Sequence, residues 1–181
     1  MKELFIKYRN VVRFVLLFLG SYLLLSFGYA QYLKLSASGN YAPDFITHIV
    51  AQQSKWLLEA FGYAAELKHD AIGQGMLLLF NHSYTVSIVE GCNSVSVIIL
   101  FFAFVIAFAE SFKKTISFLL AGAILIYIVN VLRIVILVVA LYNFPQHKNT
   151  LHSVVFPGII YGIVFVLWMI WVKMLKPNSA K

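Results

Sequence analysis

The sequence predicts an all-α polytopic membrane protein of about four transmembrane helices, with an amphipathic helix and a short β-hairpin outside the membrane. Of its 181 residues, 61% are hydrophobic and 12% are charged, whereas soluble domains average about 25% charged residues. Four apolar segments approach or exceed the roughly 20 residues needed to cross the hydrocarbon core. We therefore expect one integral membrane domain over residues 1–181.

The four predicted spans are distributed along the whole chain. They cover about Val11–Tyr32, Cys92–Ala109, Thr115–Leu141 and Ser153–Val172. The second is the shortest, with about 18 residues before Glu110, which is just long enough to cross. The first continues into Gln31 and Lys34 without a small-residue cleavage site, so we expect no cleavable signal peptide.

Basic residues predict the side on which each loop lies, because insertion disfavours moving Lys and Arg across the membrane. Nine of the fourteen lie before or at the very start of the first span, between the second and third, or after the fourth: Lys2, Lys7, Arg9, Arg13, Lys113, Lys114, Lys173, Lys176 and Lys181. Four lie in the other loops: Lys34, Lys55, Lys68 and Lys148. Both termini are therefore expected to be cytoplasmic. The net charge of +7 reflects this asymmetry and does not indicate nucleic-acid binding.

Residues 33–91 form a predicted extracytoplasmic insertion that is too long for a simple connector. Within it, the stretch DFITHIVAQQSKWLLEAFGY has apolar residues at helical spacing: Ile46, Ile49, Val50, Leu57 and Phe61. We expect an amphipathic helix on the outer surface, with Trp56 and Tyr63 suited to the headgroup region. The next stretch, MLLLFNHSYTVSIVE, has two β-prone runs around Asn81-His82-Ser83 and predicts the hairpin.

No sequence feature indicates a metal or a cofactor. The chain contains no GxGxxG, P-loop or HExxH motif. Cys92 is the only cysteine, so there is neither an internal disulfide nor a Cys-x-x-C pair, and no Cys/His cluster suggests a metal site.

Arg133 is an ionisable residue within the third predicted span, which makes it a functional candidate. It lies about ten residues before Asn143, or roughly 15 Å along the helix axis, and its side chain can snorkel outward. Asn130 is three residues earlier on the same face and is expected to bond to the guanidinium or to its partner. The alternative is that Arg133 only locks helices together, through backbone carbonyls or Glu90.

One cysteine and one histidine open two other predicted spans at their outer ends. Cys92 is either inert packing or a reactive thiol. His152 directly precedes SVVFPGIIYGIVF, and it either marks the membrane interface or takes part in the chemistry. In the segment that follows, Pro157, Gly158 and Gly162 predict a bend or the close approach of a neighbour. His147 lies in a polar loop and is expected to be solvated.

Cys92, Arg133 and His152 come from three predicted spans, and all three lie in the outer half of the membrane. Helix packing can therefore bring them into one wall of a pocket that opens outward. The thiolate is the reactive form of cysteine, and an imidazolium, a guanidinium and a helix N-terminus all favour it. Because the three side chains are chemically complementary, they predict a reactive thiol.

With these residues the chain resembles the exosortase/archaeosortase family, specifically the short F-type exosortases. Three blocks in order, between about Val89 and Trp171, carry the resemblance: EGCNSVSVIILF, NVLRIVIL and HSVVFPGIIYG. They place a cysteine at the start of a span, an arginine three residues after an asparagine, and a histidine at the start of the last span. Many members have Cys-Ser-Gly or Cys-Ala-Gly where this chain has Cys92-Asn93-Ser94.

The resemblance implies a cysteine protease-transpeptidase of the bacterial inner membrane, with its active site facing the periplasm. Cys92 would be the nucleophile, His152 the general acid/base and Arg133 the stabiliser of the oxyanion or thiolate. The supporting residues are Asn130, Asn93 and Glu90. The implied substrates are exported proteins that carry a C-terminal motif, a transmembrane helix and a basic cluster. Membrane lipid is the other expected partner, and no cofactor is implied.

A non-enzymatic hypothesis stays open beside this one. In it, the chain is a scaffold subunit of an export or surface-assembly machine, Arg133 is an interhelical lock and Cys92 is packing. A transporter or channel component is a third class, but four short spans with one buried charge make a poor pathway. A Cys92→Ala variant separates an enzyme from a scaffold, because a scaffold tolerates this small-for-small change.

Overall fold

The computed structural model describes residues 8–36, 43–70, 75–81, 84–109 and 111–175, and most of these residues are helical. The first half contains α1 (Arg9–Ser36), α2 (Phe45–Ala60) and the strands β1 (Ala65–His69), β2 (Met76–Phe80) and β3 (Tyr84–Ile88). A 3-10 turn at Glu90–Cys92 then leads into α3 (Val95–Ala107), α4 (Phe112–Asn143) and α5 (Phe156–Leu175). Between α4 and α5 lie a 3-10 turn (Pro145–His147), a single helical turn (Lys148–Thr150) and a π-helical segment (Leu151–Val155). This architecture confirms the predicted fold class.

Three helices of the described chain are long and apolar enough to cross a membrane: Arg9–Ser36, Phe112–Asn143 and Leu151–Leu175. They correspond to the first, third and fourth predicted spans. The predicted second span corresponds to α3, which has 13 residues and is about 20 Å long. The expectation that Cys92 opens this helix is wrong, because the chain first makes the 3-10 turn and enters the helix at Val95.

Helix α1 packs against α3 through aromatic side chains. The ring of Phe14 lies 6.0 Å from that of Phe104 and 4.5 Å from that of Phe108, measured between centroids. No residue of α1 is buried. Its outward surface is therefore free to contact lipid, as suits a span at the edge of a bundle.

Two buried clusters lie at different levels of α4. The membrane cluster joins α3, α4 and α5 through Phe101, Val105, Leu119, Ile126, Val164, Leu167 and Trp171. The outer cluster joins α2, the sheet and α4 through Val50, Ala51, Leu58, Ala65, Met76, Leu78, Phe80, Ile88, Ile134, Val135 and Val138. Helix α4 has 32 residues and is about 48 Å long, so it is long enough to contribute to both. Arg133 directly precedes the residues of α4 that enter the outer cluster.

The amphipathic helix predicted in the insertion is present as α2. Val50 is fully buried, as the apolar pattern requires, but the buried face also contains the polar residues Thr47 and Ser54. The helix packs against the sheet and α4, so its inner face contacts protein and does not lie on lipid alone. Trp56 remains exposed on the other side.

The sheet is antiparallel, in the order β1-β2-β3. Strands β2 and β3 pair from Met76 with Ile88 to Phe80 with Tyr84, which confirms the predicted hairpin. Asn81 at its turn has a positive φ of 49°, whereas residues 82–83 lie outside the described parts. Strand β1 was not predicted. It adds to β2 by pairing Ala65 with Phe80, and thereby widens the apolar surface that α2 covers.

Candidate active site

A cavity of about 230 Å³ lies between β3, the C-terminal part of α4 and the π-helical segment. Its wall contains the three residues that the sequence predicted to act together, Cys92, Arg133 and His152. The remaining lining is mostly apolar and consists of Val86, Ser87, Ile88, Ile134, Leu137, Val138 and Leu141. The fold thus brings the three side chains to one space from three separate elements.

Cys92 is the last residue of the 3-10 turn and is a free, half-buried cysteine. It packs against the outer cluster. The turn uses the neighbouring amides, because the N–H of Cys92 donates to the carbonyl of Val89 at 2.8 Å and that of Asn93 donates to Glu90 at 3.3 Å. These two N–H groups are therefore already engaged and are not free donors for a substrate oxygen.

Arg133 is linked to the nucleophile candidate through Asn130. The Nη1 of Arg133 donates to Oδ1 of Asn130 at 3.2 Å, and Nδ2 of Asn130 donates to the backbone carbonyl of Cys92 at 2.6 Å. Asn130 is 1% exposed, so this relay is shielded from solvent. The predicted bond between Asn130 and the guanidinium is confirmed, and its second bond reaches the turn that contains the thiol.

The Nε of Arg133 is buried and has no hydrogen-bond partner among the described residues. A buried donor without a partner is uncommon in a folded protein, since desolvation is normally offset by a bond. Arg133 also lines the cavity, so this unpartnered donor belongs to a side chain of the cavity wall.

His152 lies in the π-helical segment that precedes α5, and its side chain is exposed at the edge of the cavity. The wide turn is closed by the N–H of Phe156, which donates to the carbonyl of Leu151 five residues earlier. Pro157 has no N–H to offer to the carbonyl of Ser153, and this missing bond favours the widening. Pro157 thus follows a π-helical segment, and the bend at Pro157 and Gly158 stays a prediction.

Glu90 does not form the predicted alternative pair with Arg133. The ion pairs of the described chain are Lys55–Glu59 and Lys68–Glu66. Glu90 instead lines a second cavity, of about 440 Å³, between α1 and α3. The alternative that Arg133 holds two helices together through an ion pair with Glu90 is therefore wrong.

Asn93 and Ser94, which follow the cysteine, are both buried. Ser94 has φ 63° and ψ 2°, the left-handed conformation that glycine adopts most readily. The glycine found here in many of the resembling sequences is absent, yet the backbone keeps the conformation that suits it. Asn93 bonds to α1 and α2 through its side chain, which the sequence did not predict.

Four residues near this turn were missed by sequence reasoning: Tyr29, Tyr32, Asp44 and Thr47. Asp44 is fully buried and caps α2 by accepting from the N–H groups of Ile46 and Thr47. An Asp directly before a helical pattern is a helix-start signal, so this cap was open to prediction. Nothing in the sequence indicated that Thr47, which donates to Asp44, also accepts a hydrogen bond from Asn93, the residue after the cysteine. In the described residues, no group of three or more His, Cys, Asp or Glu is placed to hold a metal ion.

A family model described as transmembrane exosortase (Exosortase_EpsH) matches residues 7–172 of the chain. The matched range includes the insertion, nearly all of the membrane helices, and the cavity residues Cys92, Arg133 and His152. No curated protein and no solved structure matches the chain.

Proposed function

Because this chain belongs to the transmembrane exosortase family, we propose that it is a membrane cysteine protease-transpeptidase in which Cys92 attacks a peptide carbonyl. Its substrates are exported proteins whose C-terminal tail contains a short motif, a transmembrane helix and a basic cluster. The observation that supports this proposal best is the convergence of Cys92, Arg133 and His152 on one cavity.

The proposed reaction has two halves. In the first, a bond forms between the Cys92 sulfur and the carbonyl carbon, and His152 gives a proton to the departing amine as the peptide C–N bond breaks. In the second, water or an acceptor nucleophile attacks the thioester and transfers its proton to His152, which releases the Cys92 thiolate.

Arg133 is the proposed donor to the developing oxyanion. The amides of Cys92 and Asn93 are engaged within the turn, so a backbone oxyanion hole cannot use them. The Nε of Arg133 is buried and unpartnered among the described residues, and a preorganised donor in a water-poor site stabilises developing charge strongly. The family resemblance and this free donor support the same role.

The size of the cavity supports a peptide segment as its occupant. At about 230 Å³ it is smaller than the roughly 300–1,000 Å³ of sites for small-molecule ligands. It therefore suits a carbonyl with a flanking side chain better than a whole small molecule. The bulk of a substrate with a transmembrane tail would remain outside it, in the lipid.

In this proposal the cavity faces the periplasm. Lys113 and Lys114 lie at the start of α4, where the positive-inside rule favours the cytoplasm. The cavity is lined by residues of α4 between Arg133 and Leu141, towards the other end of the same helix. An active site on that side meets substrates after their export.

The proposal is tested by comparing the membrane proteome of a Cys92→Ala strain with that of the wild type. We expect a set of proteins to retain a C-terminal hydrophobic tail in the variant, because their thioester cannot form. Ser87→Ala is the matched control, since Ser87 lines the same cavity and has no role in the chemistry. Identical C termini in Cys92→Ala and wild type would reject the enzymatic proposal in favour of a scaffold.

A further inference from the structure

We propose that Asn93 is a positioning residue that holds the turn containing Cys92 in register with the cavity. The proposal rests on the proposed enzymatic function. In it, the C-terminal end of α1 and the start of α2, which lie outside the three sequence blocks that resemble the family, hold Asn93, the residue that follows the nucleophile.

The side chain of Asn93 makes three hydrogen bonds, and both of its N–H groups are engaged. Its Nδ2 donates to Oη of Tyr29 at 2.7 Å and to Oγ1 of Thr47 at 3.0 Å, while its Oδ1 accepts from the N–H of Val95 at 3.0 Å. Asn93 is 1% exposed. One buried amide thus connects α1, α2 and the first residue of α3.

The partners of Asn93 are themselves fixed. The Oγ1 of Thr47 donates to Oδ2 of Asp44 at 2.6 Å, so its lone pairs are directed towards the asparagine. Asp44 is fully buried and also accepts from Oη of Tyr32 at 3.3 Å. A buried polar network with satisfied members rigidifies the groups that it joins. The Asn93 amide is therefore held in one place.

The residue beside Asn93 explains why such a hold is needed. Ser94 is in the left-handed conformation, which is unfavourable for any residue with a Cβ and persists only when the surroundings impose it. The bond from Val95 N–H to Asn93 Oδ1 closes a ring around Ser94. Without this bond, Ser94 would be free to return to a more favourable conformation. The backbone of Cys92 and Asn93, which precede Ser94, would then rotate.

Cys92 is then held from two sides. Asn130 binds its carbonyl from α4, while Tyr29 of α1 and Thr47 of α2 hold Asn93, the next residue along the chain. Reacting groups need placement to within a fraction of an ångström, and an error of about 1 Å can lower a rate roughly 10²-fold. A change at Asn93 should therefore act on turnover, although Asn93 touches neither the cavity nor the substrate.

The test compares Asn93→Ala, Ser94→Gly and the double variant, with Asn143→Ala as a control whose amide bonds to its own helix in an exposed position. The readout is the product-to-precursor ratio for a tail-bearing substrate, divided by the amount of folded enzyme, which is measured from the size of its thermal unfolding transition in detergent. We expect Asn93→Ala to lose about 10-fold or more in processing per folded molecule, and Asn143→Ala to match wild type.

The Ser94→Gly variants separate positioning from general stability. Glycine adopts the left-handed conformation without strain, so Ser94→Gly alone should process normally. In the double variant it should recover the part of the loss that comes from strain at residue 94, although the bonds to Tyr29 and Thr47 stay absent. Asn93→Ala with normal processing per folded molecule, or a double variant as inactive as Asn93→Ala, would overturn the positioning role. Unaltered processing by Cys92→Ala, in contrast, would overturn the proposed function itself.

Discussion

Cys92→Ser is expected to abolish tail processing while the protein stays near its wild-type abundance. Serine is nearly isosteric with cysteine, and Cys92 is only half-buried at the edge of the outer cluster, so the fold should tolerate the change. The hydroxyl, however, ionises far less readily than a thiol. We expect a loss of roughly 10³-fold or more, since removal of the nucleophile costs about 10⁶ in a well-studied protease.

The precursor-to-product ratio, normalised to enzyme abundance in the membrane, measures this effect. Ser87→Ala again serves as the comparison, because it alters the same cavity wall without touching the proposed chemistry. Full processing by Cys92→Ser would end the thiol mechanism, whatever the roles of Arg133 and His152.

Arg133→Lys is expected to insert and accumulate like wild type but to process its substrate roughly 10²–10³-fold more slowly per unit of enzyme, the loss that follows removal of one oxyanion donor in a protease. Lysine keeps the positive charge, so an arginine that only locks helices would be replaced adequately. An ammonium cannot reproduce the planar fork of the guanidinium, which here bonds Asn130 through Nη1 and leaves Nε free. Desolvated lysine can also lose its proton, which removes the field on Cys92.

The control for Arg133→Lys is the amount of the variant in the membrane. If Arg133 only holds helices together, its loss should lower the abundance of the enzyme before it lowers turnover per molecule. A lysine variant that processes normally would leave Arg133 as a structural residue and only Cys92 and His152 as chemistry. A variant that is abundant and inactive matches the oxyanion role.

The sequence was sufficient to predict the features that depend on hydropathy and on the regular spacing of apolar residues along a helix. Long apolar runs predicted α1, α4 and α5, and the spacing around Val50 predicted α2. The juxtaposition of Cys92, Arg133 and His152 was also open to prediction, because all three were expected at one depth of the membrane and few ways of packing a small bundle keep them apart.

The contacts that hold the site together were not open to prediction in the same way. Apolar periodicity cannot reveal that α3 begins at Val95, since the delay depends on the 3-10 turn and on the left-handed Ser94. Tyr29 lies in an apolar span where tyrosine ordinarily marks the interface, and its bond to Asn93 spans 64 residues. Such long-range polar contacts depend on tertiary packing, which a single sequence does not encode in any local pattern.

The most direct test of the central claim is to trap the acyl group that Cys92 is proposed to carry. Purified enzyme is given a tail-bearing precursor found in the Cys92→Ala strain, together with neutral hydroxylamine, which attacks thioesters in place of water or the natural acceptor. The new C terminus of the product is then read by mass spectrometry. A thioester intermediate predicts a hydroxamate in wild type and no product with Cys92→Ala. A product that ends in a free carboxylate at saturating hydroxylamine, or that forms without Cys92, would contradict the account.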